Sequence, residues 1–150
     1  MSEKKSPVRR FSAFRWEDTD LLAYKEEGSA PFKAITRQTL FSDPALKGEL
    51  RYFEMAPGGY STLERHEHMH AVLILRGAGE CLIGDQVYRI ATNDLITIEA
   101  DTWHQFRANA GTPLGFLCMV NAERDKPRLP SDDERKAMEA NPKFTAFFRN

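Results

Sequence analysis

Apolar and polar residues alternate along most of this chain in short runs, and Gly, Pro, Asn or Asp breaks the runs every several residues. Alternation with a period of two is the pattern of half-buried strands, because successive side chains of a strand point to opposite faces. Residues 32–41 (FKAITRQTLF), 49–55 (ELRYFEM), 86–90 (QVYRI), 95–98 (LITI), 103–107 (WHQFR) and 114–120 (LGFLCMV) read as strands on this basis. Residues 60–76 read as one long strand or two joined by a bend. Residues 80–84 (ECLIG) lead into the two-residue hairpin signal Gly84-Asp85. Turns are expected at 28–31, 42–48 (with room for one helical turn), 57–59, 77–79 and 109–113. Residues 11–27 carry Phe11, Phe14, Trp16 and Tyr24 without a helical period and read as short strands or irregular structure.

After Asn121 the composition shifts to charge and proline. Residues 131–140 (SDDERKAMEA) predict a short helix, with Ser131 as N-cap and acids in its first turn. The closing FTAFF is apolar enough to dock. Many short strands, no βαβ alternation and no internal repeat predict an all-β antiparallel barrel or sandwich with one short C-terminal helix. The expected organisation is an N-terminal arm and edge-strand region over 1–30, a barrel over 31–122 and a tail over 123–150.

The chain has 150 residues, enough for one domain with a real core, and is 41% hydrophobic and 29% charged. A net charge of −1 gives no general attraction for nucleic acid or anionic lipid. The basic stretch KKSPVRR is too short to change that. The N-terminus lacks the apolar core of a signal peptide, and no run approaches the ~18 apolar residues of a membrane span. A cytoplasmic protein without nucleic-acid or membrane partners is the expectation. Cys81 and Cys118 form no CxxC pair and read as two small buried residues rather than a disulfide.

The chemistry concentrates at Glu64, His66, His68 and His70, which occupy every second position; the one other histidine is His104. Imidazole and carboxylate together suit divalent transition metals. On a strand these four side chains share a face, and alternation alone does not choose among them. Tyr60 and Thr62 share the same parity, and Phe106 shares that of His104, so these three are candidate lining residues. Arg51, Phe53 and Met55 form another same-face set. Arg51 is a candidate anchor for an acidic substrate, though a surface arginine is the simpler reading.

A family resemblance separates the candidates. Gly58, Glu64, His66, His70 and Gly77 stand at the spacing of the first motif of the cupin family. Asn93, Glu99, Asp101, His104 and Ala108 stand at the spacing of the second. In the first motif glutamate and histidine have exchanged places; in the second, both glycines and the proline are replaced. Asn93 and Asp101 tolerate left-handed backbone better than most residues, which keeps both turns feasible. The chain resembles the small single-domain proteins of the cupin-2 group over roughly residues 50–120.

The resemblance implies a double-stranded β-helix, or jelly-roll barrel. It implies a divalent metal (Mn, Fe, Co, Ni, Cu or Zn) held by Glu64, His66, His70 and His104. His68 matches no ligand position and becomes a lining candidate. Open metal positions would admit a small organic substrate, and the family contains dioxygenases, isomerases and decarboxylases. Glu64 would remain a ligand or detach to act as a base. The other class of function is a non-catalytic small-molecule or metal-binding sensor. Small cupins commonly form homodimers, so a homodimer is expected.

Overall fold

A computed structural model describes residues 6–23, 33–123, 127–145 and 147. The predicted break at 28–31, Tyr24 and the first residue of the predicted 32–41 strand lie outside them. Among the described residues, ten strands and two helices follow in order: β1 (Phe11–Ser12), β2 (Arg15–Trp16), β3 (Leu22–Ala23), β4 (Lys33–Asp43), β5 (Gly48–Tyr60), β6 (His70–Ile83), β7 (Gln86–Ala91), β8 (Leu95–Ile98), β9 (His104–Ala108), β10 (Leu114–Asn121), α1 (Asp132–Glu139) and α2 (Pro142–Thr145). β1 and β2 form a hairpin of their own. The main sheet runs β10-β6-β9-β5-β4-β3, and β10 also pairs with β5, so β5, β10, β6 and β9 close a ring. All pairings are antiparallel. The protein is an all-β closed barrel with little helix, as the alternation predicts.

The inner faces of these strands fill the barrel. Ile35, Phe53, Met55, Val72, Ile74, Ile98, Phe106, Leu114, Phe116 and Cys118 belong to one buried cluster. A second cluster lies on the outside, where Phe144 and Phe147 of the C-terminal segment cover Leu63 and Leu82. Of the FTAFF expected to dock, Phe144 and Phe147 therefore do so within the chain itself. The helix expected at 131–140 spans Asp132–Glu139; Ser131 and Glu134 form a reciprocal capping box. On another outer face, Phe14 and Trp16 pack on the ring of Tyr52, with centroids 6.0 and 5.2 Å away.

Three expectations are corrected. Residues 61–69 are not strand: Glu64 and Arg65 make only isolated bridges, to His104 and Arg128. Ser61, Thr62, Leu63 and Glu64 are all buried, which a half-exposed strand with alternating faces does not allow. The shared parity of Tyr60, Thr62, Glu64, His66 and His68 therefore has no structural basis. The predicted turns at 57–59 and 77–79 lie inside β5 and β6. At Gly77, β6 changes partners, from β8 and β10 before it to β7 and β9 after it. Its φ is +77°, and a Cβ there would fall 1.7 Å from the Pro113 carbonyl oxygen, so this glycine lets one strand bend from one pair of neighbours to the next. The 44–47 connection is a turn without helix.

Other local readings hold. Gly84-Asp85 joins β6 to β7, with Gly84 at φ 62°, as a two-residue hairpin turn with glycine first requires. Asn93 and Asp101 adopt φ 78° and 55°, taking the left-handed backbone at the two motif positions where glycine is replaced. No helix among the described residues is long and apolar enough to cross a membrane. Cys81 and Cys118 are buried and not joined by a disulfide.

Candidate metal centre

Three backbone segments bring the histidines together. His70 opens β6, His104 opens β9, and His66 sits in the loop before β6. The loop is tied down by main-chain bonds. Glu64 N donates to His104 O (3.2 Å), His104 N to Glu64 O (3.0 Å) and Asp101 N to His66 O (2.8 Å). The left-handed turn at Asp101 thus clamps the backbone of His66. The three rings lie 4.6–5.2 Å apart between centroids, all buried. One nitrogen from each lies within 4.8 Å of the other two.

Each ring is oriented through Nδ1. That of His66 lies 2.8 Å from the carbonyl oxygen of His68, and that of His104 lies 2.9 Å from the carbonyl of Thr102. A carbonyl accepts only, so these nitrogens donate, and a neutral ring then keeps its lone pair on Nε2. His70 Nδ1 lies 3.3 Å from Sγ of Cys118. Three buried imidazoles held in this way fit a divalent transition metal.

The other predicted residues take varied places. Glu64 is buried and accepts a hydrogen bond from Thr62 Oγ1 at 3.0 Å; its carboxylate is not part of the three-nitrogen group. His68 is half-buried and presents its main-chain carbonyl to His66. Phe106 lies one inward step along β9 from His104 and stacks on Phe116, with centroids 4.7 Å apart. Tyr60 lies beneath the Arg107 guanidinium (4.6 Å), which also faces the Phe147 ring (5.5 Å) and donates to the Phe147 carbonyl.

Sequence reasoning gave Cys118 no role beyond packing. Alternation within LGFLCMV does place it on one face with Leu114, Phe116 and Val120, but nothing local pairs it with a histidine 48 positions earlier. It also preferred a surface position for Arg51. That is corrected: Arg51 lies on the face of β5 that carries the buried Phe53 and Met55, and its side chain is 11% exposed.

A buried histidine triad at one end of a small closed jelly-roll barrel defines a cupin centre, and the comparisons agree. The Cupin_2 family model, described as a cupin domain, matches residues 51–120. The 1-methylthio-D-xylulose 5-phosphate methylsulfurylase of Rhodospirillum rubrum is 58% identical over 142 residues, covering 94% of this chain and 91% of that protein. The chain belongs to the cupin-2 family of small cupins. Among solved structures, a cupin 2 conserved barrel domain protein from Rhodopseudomonas palustris superimposes with TM-score 0.89 at 49% identity, covering 95% of this chain and 99% of that one. A cupin-2 domain protein from Rhodospirillum rubrum gives TM-score 0.84 at 57% identity, covering 95% and 96%.

Proposed function

We propose that this chain is a metal-dependent enzyme that removes the methylthio group from a 1-methylthio ketose 5-phosphate, the type of compound named in its Rhodospirillum rubrum relative. The observation that carries this reading is the thiol of Cys118, buried on the inner barrel face 3.3 Å from a ring of the histidine triad. Sulfur transfer needs a sulfur nucleophile beside a centre that can stabilise negative charge, and this barrel end holds the residues for both. His66, His70 and His104 would hold the metal, with Glu64 as a fourth candidate ligand. Once bound, the metal would supply Lewis-acid stabilisation to the oxygen of the substrate ketone.

In this reading the sulfur of Cys118 attacks the methylthio sulfur. The C1–S bond breaks and its electron pair passes to C1 and the adjacent carbonyl as an enolate. The proton given up by Cys118 is equivalent to the one C1 gains, and Glu64 is the candidate to carry it. Cys118 is left as a methyl disulfide. A second, low-molecular-weight thiol then takes the methylthio group as a mixed disulfide and restores the Cys118 thiol. C1 is reduced, two sulfurs are oxidised, and no further reactant is needed. Of the reaction types implied by the resemblance, this lies nearest the isomerases, through its enolate. We also infer a homodimer, for which light scattering should give about twice the 17.1 kDa chain mass.

The test is elemental analysis of untagged protein beside a His66→Ala/His104→Ala double variant, followed by incubation with 1-methylthio-D-xylulose 5-phosphate and glutathione. A near-stoichiometric metal, together with a deoxyketose phosphate and a methyl disulfide detected by mass spectrometry, all lost in the variant, would support the reading. Metal and bound sugar without conversion would instead favour the sensor alternative. Absence of metal after reconstitution would sink the metal centre.

A further inference from the structure

The inner face of the barrel carries charge that the proposed sulfur chemistry does not use. Arg51 stands opposite Cys118 of β10 on one side and Thr39 of β4 on the other. Arg37 stands opposite Phe53, so it shares that inner face and is the diagonal neighbour of Arg51. Its Nε is buried. The Arg51 side chain is 11% exposed, and a guanidinium so far withdrawn from water is costly unless an anion meets it. Glu49, also on this face, holds Arg51 through its Nε, while its other oxygen accepts from Ser42 Oγ at 3.2 Å. Glu49 therefore fixes the inner edge of the guanidinium and leaves the Nη donors of Arg51 for another acceptor.

We propose that Arg51, with Arg37 beside it, is the subsite for the substrate phosphate; this rests on the reading of the substrate as a sugar phosphate. The spacing fits. Arg51 lies two strands from β6, about 10 Å at ordinary strand separation. Along β6 its row meets Val72, one inward step from His70. The arginine side chain covers part of that span, and a five-carbon chain ending in phosphate covers roughly 7 Å more. A ketone end at the histidines thus places the phosphate at the guanidinium, and C1 passes over Cys118 in between. Paired N–H donors suit the geometry of a phosphate, and two guanidinium groups suit its double charge.

The test is calorimetric binding of D-xylulose 5-phosphate and of D-xylulose to the protein as purified, with its metal content measured. Wild type should prefer the phosphorylated sugar by about a hundredfold or more, and inorganic phosphate should compete. Arg51→Met should cut that preference to about tenfold or less, and Arg51→Lys should restore part of it. Unchanged metal content and thermal midpoint in the lysine variant would show that the fold is intact. Equal binding of the two sugars by wild type, or an unchanged preference in both variants, would overturn the subsite. A preference that Arg51→Met abolishes, in a protein that converts no methylthio sugar, would sink the reaction and leave the subsite standing.

Discussion

Tyr52 is packed so tightly over Gly115 that a Cβ on the glycine would fall 2.0 Å from the tyrosine hydroxyl and 2.9 Å from the ring carbon that bears it. The ring is held on its other side by Phe14 and Trp16, so it has little room to move. Gly115→Ala should cost about 1–3 kcal/mol through overpacking. Urea denaturation would show this as a lower midpoint with an unchanged slope.

The hydroxyl of Tyr52 is buried and meets no hydrogen-bond partner among the described residues. Tyr52→Phe should therefore be neutral, or stabilising by up to about 1 kcal/mol. The phenol also has a pH signature. Burial foremost, then the charge of Glu54, raise its pKa above the usual tyrosine value, against a smaller opposing effect of Arg76. The unfolded chain ionises its tyrosines near pH ~10, while the folded chain keeps Tyr52 protonated. This contribution to stability is complete below that pH and is lost as pH rises above it. The advantage of Tyr52→Phe over wild type should widen between pH 9 and pH 11 in paired denaturation curves.

For Cys118, packing and chemistry can be separated. Cys118→Ser keeps a hydrogen-bonding atom beside His70 and should hold metal within a few-fold of wild type, while methylthio transfer falls by about a thousandfold or more. Retained transfer in this variant would remove the proposed nucleophile. Joint loss of metal and transfer would make Cys118 an orienting residue for His70 alone.

Asp101 is exposed, adopts φ 55° and donates its N–H to the carbonyl of His66. Asp101→Gly should preserve or slightly raise stability, because glycine takes this backbone without strain. Asp101→Val should lose about 1–2 kcal/mol, because a β-branched residue resists it. Weaker metal retention should accompany the valine variant, measured by chelator competition.

Much of this was legible because local chemistry and fold agree. The runs that alternate became strands, Ser131 capped its helix, and Asn93 and Asp101 took the conformations that excused the missing glycines. Alternation failed at 61–64 because that part of the loop is covered on both sides, by β9 and by the C-terminal segment through Leu63. Gly77 read as a turn because a positive φ inside a strand and one at a hairpin leave the same residue in the sequence. His66, His70 and His104 were named from motif spacing. Cys118 beside His70 and Arg51 inside the barrel were not, since both depend on the pairing of β10 with β6 and β5.

His66 and His104 each lean on a main-chain oxygen two residues away, while His70 leans on a side chain. A carbonyl is present whatever amino acid supplies it. Mutational drift at positions 68 and 102 therefore leaves the aim of two rings untouched, proline-driven backbone changes apart. Position 118 has no such insulation. In a saturation library scored for metal retention, 68 and 102 would be broadly permissive, and 118 would be much narrower than either.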